Sequence, residues 1–248
     1  MDSTSTQSNL TKIKWAHAVN SCTELQEALK NNKIQMLEAD IILGQINNCG
    51  SFLPVMGHPP ATSSDITLKD FLLTVLEFNQ NAVNSKGVKL DFKSIEVFEK
   101  SLGILEELWN KITFEIWLNA DIVKGPVEQT KPSQAVLSIG WTTLWGPEFR
   151  EGVYTKDELK DMIAAIKDNH ITNKNITFPI RAGIAANSLK EMKQFIQDLG
   201  KDNFYTFTIW SSVQDFVDVA NLKTFILEFG FDRVYLDVPK DLEDKLNL

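Results

Sequence analysis

Met36-Leu37-Glu38-Ala39-Asp40-Ile41-Ile42-Leu43 is an apolar run carrying two acids one residue apart. A short apolar run of this kind reads as a β-strand. In a strand, alternate side chains share a face. Glu38 and Asp40 therefore point one way, and Leu37, Ala39 and Ile41 the other. Two carboxylates side by side inside a fold oppose each other's ionisation, and a bound cation removes that cost. Taken alone, a Glu-x-Asp pair also reads as a strand end with two solvated acids, so its meaning depends on what surrounds it.

Outward from this run, short apolar segments recur at 13–19, 88–93, 114–122, 135–141, 177–183, 205–210 and 233–238. Between them, 22–31, 68–79, 95–111, 156–168, 188–199 and 215–229 carry apolar residues at helical spacing. Thr155 and Asn187-Ser188 supply N-cap oxygens. Gly200 and Gly230 fall where helices should stop. Eight strand units in 248 residues, with no Pro- or Ser-rich linker, predict an α/β fold. The size and rhythm are those of a single (β/α)8 TIM barrel over 12–248, behind a disordered polar tail over 1–11. An open doubly wound sheet also alternates strands and helices, but no Gly-rich phosphate loop supports it. The segments 44–57, 124–134 and 142–154 read as long loops. Each follows a strand C-terminus, the barrel face where sites form.

Composition narrows the function classes. Hydrophobic content of 43% and charged content of 23% are those of a globular protein. With 25 Lys and Arg against 33 Asp and Glu, the net charge is −8. That argues against a broad nucleic-acid or anionic-membrane surface, though not against a small phosphate ligand. Cys22 and Cys49 form neither a disulfide framework nor a metal-binding pair of close cysteines. The N-terminus is polar without a signal-peptide core, and no run approaches a membrane span. A cytoplasmic or other intracellular location is the expectation.

Strand parity then finds the polar interior. With the apolar residues facing outer helices, the barrel axis receives Glu38, Asp40, Lys89, Asp91, Lys93, Trp117, Asn119 and Asp121. Later strands add Ser138, Gly140, Arg181, Thr206, Thr208, Trp210, Tyr235 and Asp237. His17 closes the first strand. A purely structural barrel core is layered with branched aliphatics. Unpaired charges there are destabilising, so this set is either a mutually paired ion network or a site for a metal and an anion.

The order of these residues is itself informative. His17 ends strand one, Glu38-Ala39-Asp40 ends strand two, Gly57-His58-Pro59 follows, and Lys89-Leu90-Asp91-Phe92-Lys93 forms strand three. This resembles the glycerophosphodiester phosphodiesterase and phosphoinositide-specific phospholipase C-like superfamily of (β/α)8 barrels. Lys14-Trp15-Ala16-His17-Ala18-Val19-Asn20, Met56-Gly57-His58-Pro59-Pro60 and Trp117-Leu118-Asn119-Ala120-Asp121-Ile122 are similar to blocks of the menorin family. The resemblance runs from about Lys12 to Val238, and it is closest to the short, soluble B-type members. Two departures stand out. Ala18 and Pro59 replace the Arg and Asp that usually follow the two histidines in the superfamily.

The resemblance implies a metal-dependent phosphodiesterase. His17 and His58 are then general acid and base, and Glu38, Asp40 and Asp91 hold one divalent cation. All-oxygen ligation favours Mg²⁺ or Ca²⁺. Lys93 and Arg181 would meet phosphate oxygens, with Asn119, Trp210 and Arg150 as further substrate contacts. The substrate class is a small phosphodiester. One rival is an inactive barrel that engages a protein partner, favoured by the missing Arg. Another is a lyase or aldolase using Lys89 or Lys93, which leaves the acids and histidines unexplained. The loop over 142–154, carrying Trp145, Phe149, Arg150 and Tyr154, reads either as a substrate lid or as an aromatic cap on the barrel.

Overall fold

A computed structural model of the chain describes residues 8–123, 135–172, 174–200 and 204–248. The expected loop over 124–134 and the first seven residues of the expected tail lie outside the described residues. The fold class is α/β of the (β/α)8 TIM-barrel type, with strand and helix alternating along the chain. Two compact bodies divide the chain, and β6 and β7 each contribute to both.

The first body holds Lys14–Ala120 and residues 135–138. Its elements are β1 (Trp15–Ala16), α1 (Cys22–Lys30), β2 (Met36–Ile46), β3 (Cys49–Met56), β4 (Ser63–Ser64), α2 (Leu68–Asn81), β5 (Gly87–Phe92), α3 (Ile95–Trp109), most of β6 (Ile116–Val123) and the start of β7 (Val136–Trp141). Its parallel strands run β1-β2-β5-β6-β7. Register sets Glu38 opposite Lys89 and Asp40 opposite Asp91. It also sets Asp91 opposite Asn119. Parity is as the pattern predicts. Leu37, Ala39, Ile41, Val88, Leu90, Ile116 and Leu118 join Phe71, Leu72, Val75 and Leu105 in one hydrophobic cluster. Each Leu, Ile, Val or Phe among them contributes about 1.5–3 kcal/mol on leaving water, and that anchors the polar face opposite. Helix starts follow their caps: Ser21, Thr67 and Ser94 side chains accept from N–H groups of the first turn.

One correction concerns 44–57, expected as a loop. The strand continues to Ile46 and returns as antiparallel β3, with Ile41 opposite Met56 and Ile46 opposite Cys49. Asn47 and Asn48 turn the chain at φ 50° and 60°. Two left-handed residues make the tight turn that matches strand twist, and Asn tolerates that conformation better than most residues.

The second body holds residues 8–13, 121–123 and Ile139–Leu248. It comprises a 3-10 turn (Leu10–Lys12), the ends of β6 and β7, α4 (Lys156–Asp168), β8 (Asn175–Arg181), α5 (Ala182–Asn187), α6 (Leu189–Leu199), β9 (Phe204–Trp210), α7 (Val219–Phe229), β10 (Val234–Asp237) and α8 (Lys240–Leu246). Strand order is β7-β8-β9-β10. Aromatic rings fill its core, with Phe178 edge-on to Phe195 and Phe207 edge-on to Phe225 and Phe229. Thr155 forms a reciprocal capping box with Glu158 at α4. The short helices α5 and α8 add to the six expected, and α7 begins at Val219 rather than near 215.

The loop over 142–154 is pinned by its own aromatics. Trp145 and Tyr154 are buried. The Trp145 indole donates to the Phe216 carbonyl at 2.8 Å. The Tyr154 hydroxyl accepts from the Arg181 N–H at 2.9 Å. A Cβ at Gly183 would collide with the Trp145 indole nitrogen and the Phe216 carbonyl, so only glycine lets the indole seat there. Two of the three aromatics thus cap the body rather than wait over a ligand, while Phe149 stays 40% exposed.

Candidate active site

The acids of β2 and β5 converge. One carboxylate oxygen from each of Glu38, Asp40 and Asp91 lies within 4.8 Å of the others. Glu38 and Asp40 are 2% and 4% exposed, although both are carboxylates. Burial of charge on this scale is costly without compensation.

Compensation comes from a defined set of groups. Lys93 Nζ lies 2.6 Å from both Asp40 Oδ1 and Asp91 Oδ2. Asn20 Nδ2 donates to Asp40 Oδ2 at 2.8 Å, and Asn20 Oδ1 accepts from the Asp40 N–H at 2.8 Å. Asn119 Nδ2 donates to Asp91 Oδ1 at 2.7 Å, and the Ser138 hydroxyl donates to Asn119 Oδ1 at 2.5 Å. That last bond orients the Asn119 amide with its NH₂ toward the acid. Lys89, 4% exposed, is the buried counter-charge facing Glu38 and Asp91.

The electrostatics differ between the acids. Burial raises the Glu38 carboxyl above its usual range, and the attraction of Lys89 and His17 does not cancel this. Burial pushes the same way at Asp91, but Lys93, Lys89 and the Asn119 hydrogen bond overcome it and hold Asp91 low. Burial also works against the Lys93 ammonium, yet Asp91 and Asp40 outweigh it and keep lysine's pKa above its ordinary value.

The first histidine stands beside this cluster. His17 Nδ1 lies 3.4 Å from Glu38 Oε2, and the ring is 58% exposed. The next residue, Ala18, adopts φ 55°, and its N–H donates to Glu38 Oε2 at 2.9 Å. A left-handed alanine costs about 1 kcal/mol, and here that turn aims an amide at the buried acid. Ala18 thus serves Glu38 through its backbone.

The hairpin returns the second histidine to the level of β2. The Gly57 N–H, just after β3, donates to the Asp40 carbonyl at 2.9 Å. His58 follows, exposed, with Nδ1 2.7 Å from the Pro59 carbonyl. A carbonyl only accepts, so this contact puts a proton on Nδ1, and the lone pair of a neutral ring is then on Nε2.

The remaining expected contacts each have protein partners. Asn119 is committed to Asp91 and Ser138, so it orients an acid. Arg181 and Trp210 belong to the second body. There the Arg181 guanidinium grips Asp215 through Nε at 2.8 Å and Nη2 at 2.9 Å, stacked 4.7 Å from the Trp210 ring. Arg150 Nη1 donates to the carbonyls of Pro147 and Phe149, with its guanidinium 3.9 Å from the Phe216 ring. Asn20 and Ser138 were not among the expected site residues. Asn20 ends the His17 block and Ser138 faces inward by parity, but which acid or amide each serves is set across strands.

The donor set suits a hard divalent cation. The three carboxylates could supply oxygen ligands, and Asn20 and Asn119 orient two of them. Among the described residues, the two lysines Lys89 and Lys93 stand against the three carboxylates, with His17 beside Glu38.

The Menorin N-terminal domain family matches residues 9–243 of the chain. The human protein FAM151B is 33% identical over 241 residues, spanning 92% of this chain and 82% of its own length. No solved structure matches. Among the described residues no helix is long and apolar enough to cross a membrane.

Proposed function

The chain belongs to the menorin family, and from that premise we propose that it is a metal-dependent phosphodiesterase acting on a small phosphodiester. The observation that carries this reading is the convergence of Glu38, Asp40 and Asp91, with His17 beside Glu38. A divalent cation held by the three acids, Mg²⁺ or Ca²⁺ by their hard-oxygen character, supplies neutralisation of charge developing on the phosphate oxygens.

The chain's own residues do the rest. His58, with Nδ1–H given to the Pro59 carbonyl, offers Nε2 as general base to the attacking hydroxyl or water. His17, its Nδ1 side facing Glu38, gives a proton to the leaving oxygen as general acid. Lys93 supplies positive charge to the phosphoryl oxygens. Asn20, Asn119 and Ser138 keep the acids oriented.

The test is a panel of nucleotide and lipid head-group phosphodiesters with Mg²⁺ or Ca²⁺. His17→Ala and His58→Ala should each lower turnover by about 10² to 10⁴ at unchanged melting temperature. Asp40→Asn should abolish cation-dependent stabilisation, which for the unaltered chain is about 2.7 kcal/mol at a cation concentration of 100 Kd. Cation binding with inactivity across the panel would assign the site to a protein-interaction module instead.

A further inference from the structure

Lys93 occupies the point where the cation ligands of Asp40 and Asp91 open. Its Nζ bridges Asp40 Oδ1 and Asp91 Oδ2 at 2.6 Å each. The other oxygen of each carboxylate is held by an amide, Asp40 Oδ2 by Asn20 and Asp91 Oδ1 by Asn119. Both amides are fixed in turn, Asn20 by the Asp40 N–H and Asn119 by the Ser138 hydroxyl. The oxygens left to face a cation are therefore the pair that the ammonium already bridges. An ammonium and a divalent cation repel strongly at such separations, so one gap does not hold both.

We propose that Lys93 is an exchangeable place-holder: a divalent cation entering between Asp40 and Asp91 displaces the ammonium, which then turns to the phosphoryl group of the ligand. This rests on the reading of Glu38, Asp40 and Asp91 as a cation site. The side chain suits the task. It is a compact charge on a flexible four-carbon stem, and it is 23% exposed. Lys89 is the contrast, a lysine only 4% exposed, in register with Glu38 on the neighbouring strand. Exchange makes phosphate recognition conditional on the metal, because the cation-free site keeps its phosphate-seeking lysine tied to two acids.

The experiment uses the full chain with Ca²⁺ or Mg²⁺ alone. Pulse acetylation with acetic anhydride, read at Lys93 by mass spectrometry, should quicken about tenfold or more at saturating cation, the scale of one released charge-assisted bond. By calorimetry, Lys93→Met should bind the cation about tenfold more tightly, since the competitor is gone. Unchanged or slower acetylation on cation binding would overturn the exchange while leaving the metal site standing. Binding by Lys93→Met but not by the unaltered chain would make Lys93 a permanent occupant and overturn it too. If neither binds, the cation reading itself falls. The labelling arm needs no variant and survives a folding failure of Lys93→Met.

Discussion

Each body carries a buried charged cluster toward the C-terminal ends of its strands, and the two are balanced differently. In the second body, Arg181 and Asp215 meet fork to fork, with the Ser212 N–H adding a third donor to Asp215 at 3.1 Å. One cation meets one anion, and side-chain exposures of 12% and 2% are tolerable because the pair is complete. In the first body, Glu38, Asp40 and Asp91 face Lys89 and Lys93, and burial leaves Glu38 reluctant to ionise. A buried charge that finds its complement is architecture. The excess of acids over lysines in the first body is what the proposed cation would balance.

The comparison breaks most visibly at Asp215. Asp215→Ala leaves Arg181 buried without its partner and should cost about 3–5 kcal/mol, read by chemical denaturation, with cation affinity unchanged. A drop in cation affinity at unchanged stability would make the Arg181 pair part of the site and collapse the distinction. Asn119→Ala sharpens the other side. It frees Asp91 Oδ1 without removing a ligand, and calorimetry should show a 10- to 100-fold weaker cation affinity, about 1.4–2.7 kcal/mol.

The smallest effect is the pH dependence of Glu38. Its folded pKa lies above its ordinary 4.5, so the folded state holds that proton more tightly than the unfolded chain does. Stability from this residue is therefore fully present below pH 4.5 and is lost as pH rises through the folded pKa, by at most about 1.4 kcal/mol per pH unit. Asp91, held below its ordinary 3.8, acts oppositely and in a lower window, losing its contribution as pH falls below that value. Denaturation measured from pH 4.5 to 7 without divalent cation should slope downward, and Glu38→Gln should flatten it. An unchanged slope in Glu38→Gln would mean that Glu38 is not the strained acid.

Much of the first body was legible in advance. The alternation in β2 separates Leu37, Ala39 and Ile41 from Glu38 and Asp40, and the buried cluster has that membership. Helix α4 runs over Lys156–Asp168 as its Thr155 cap and apolar spacing predict. The hairpin was less legible, because Asn47-Asn48 is a weaker turn signal than an Asn-Gly pair. It is β3 that brings Gly57, the residue before His58, back to the Asp40 carbonyl. The partner of Arg181, Asp215, lies 34 residues on, outside any local pattern.

The sequence by itself determined which side chains share a face and where charge gathers at strand ends. These follow from the pleat and the helical turn, which are properties of neighbouring residues. Only the tertiary structure decided which charges complete one another: Lys93 between Asp40 and Asp91, Asn20 on Asp40, Ser138 through Asn119 to Asp91, and Arg181 on Asp215. The physical reason is that periodicity is local, whereas ion pairing and hydrogen bonding depend on distances of a few ångströms between residues that strand register brings together from across the chain.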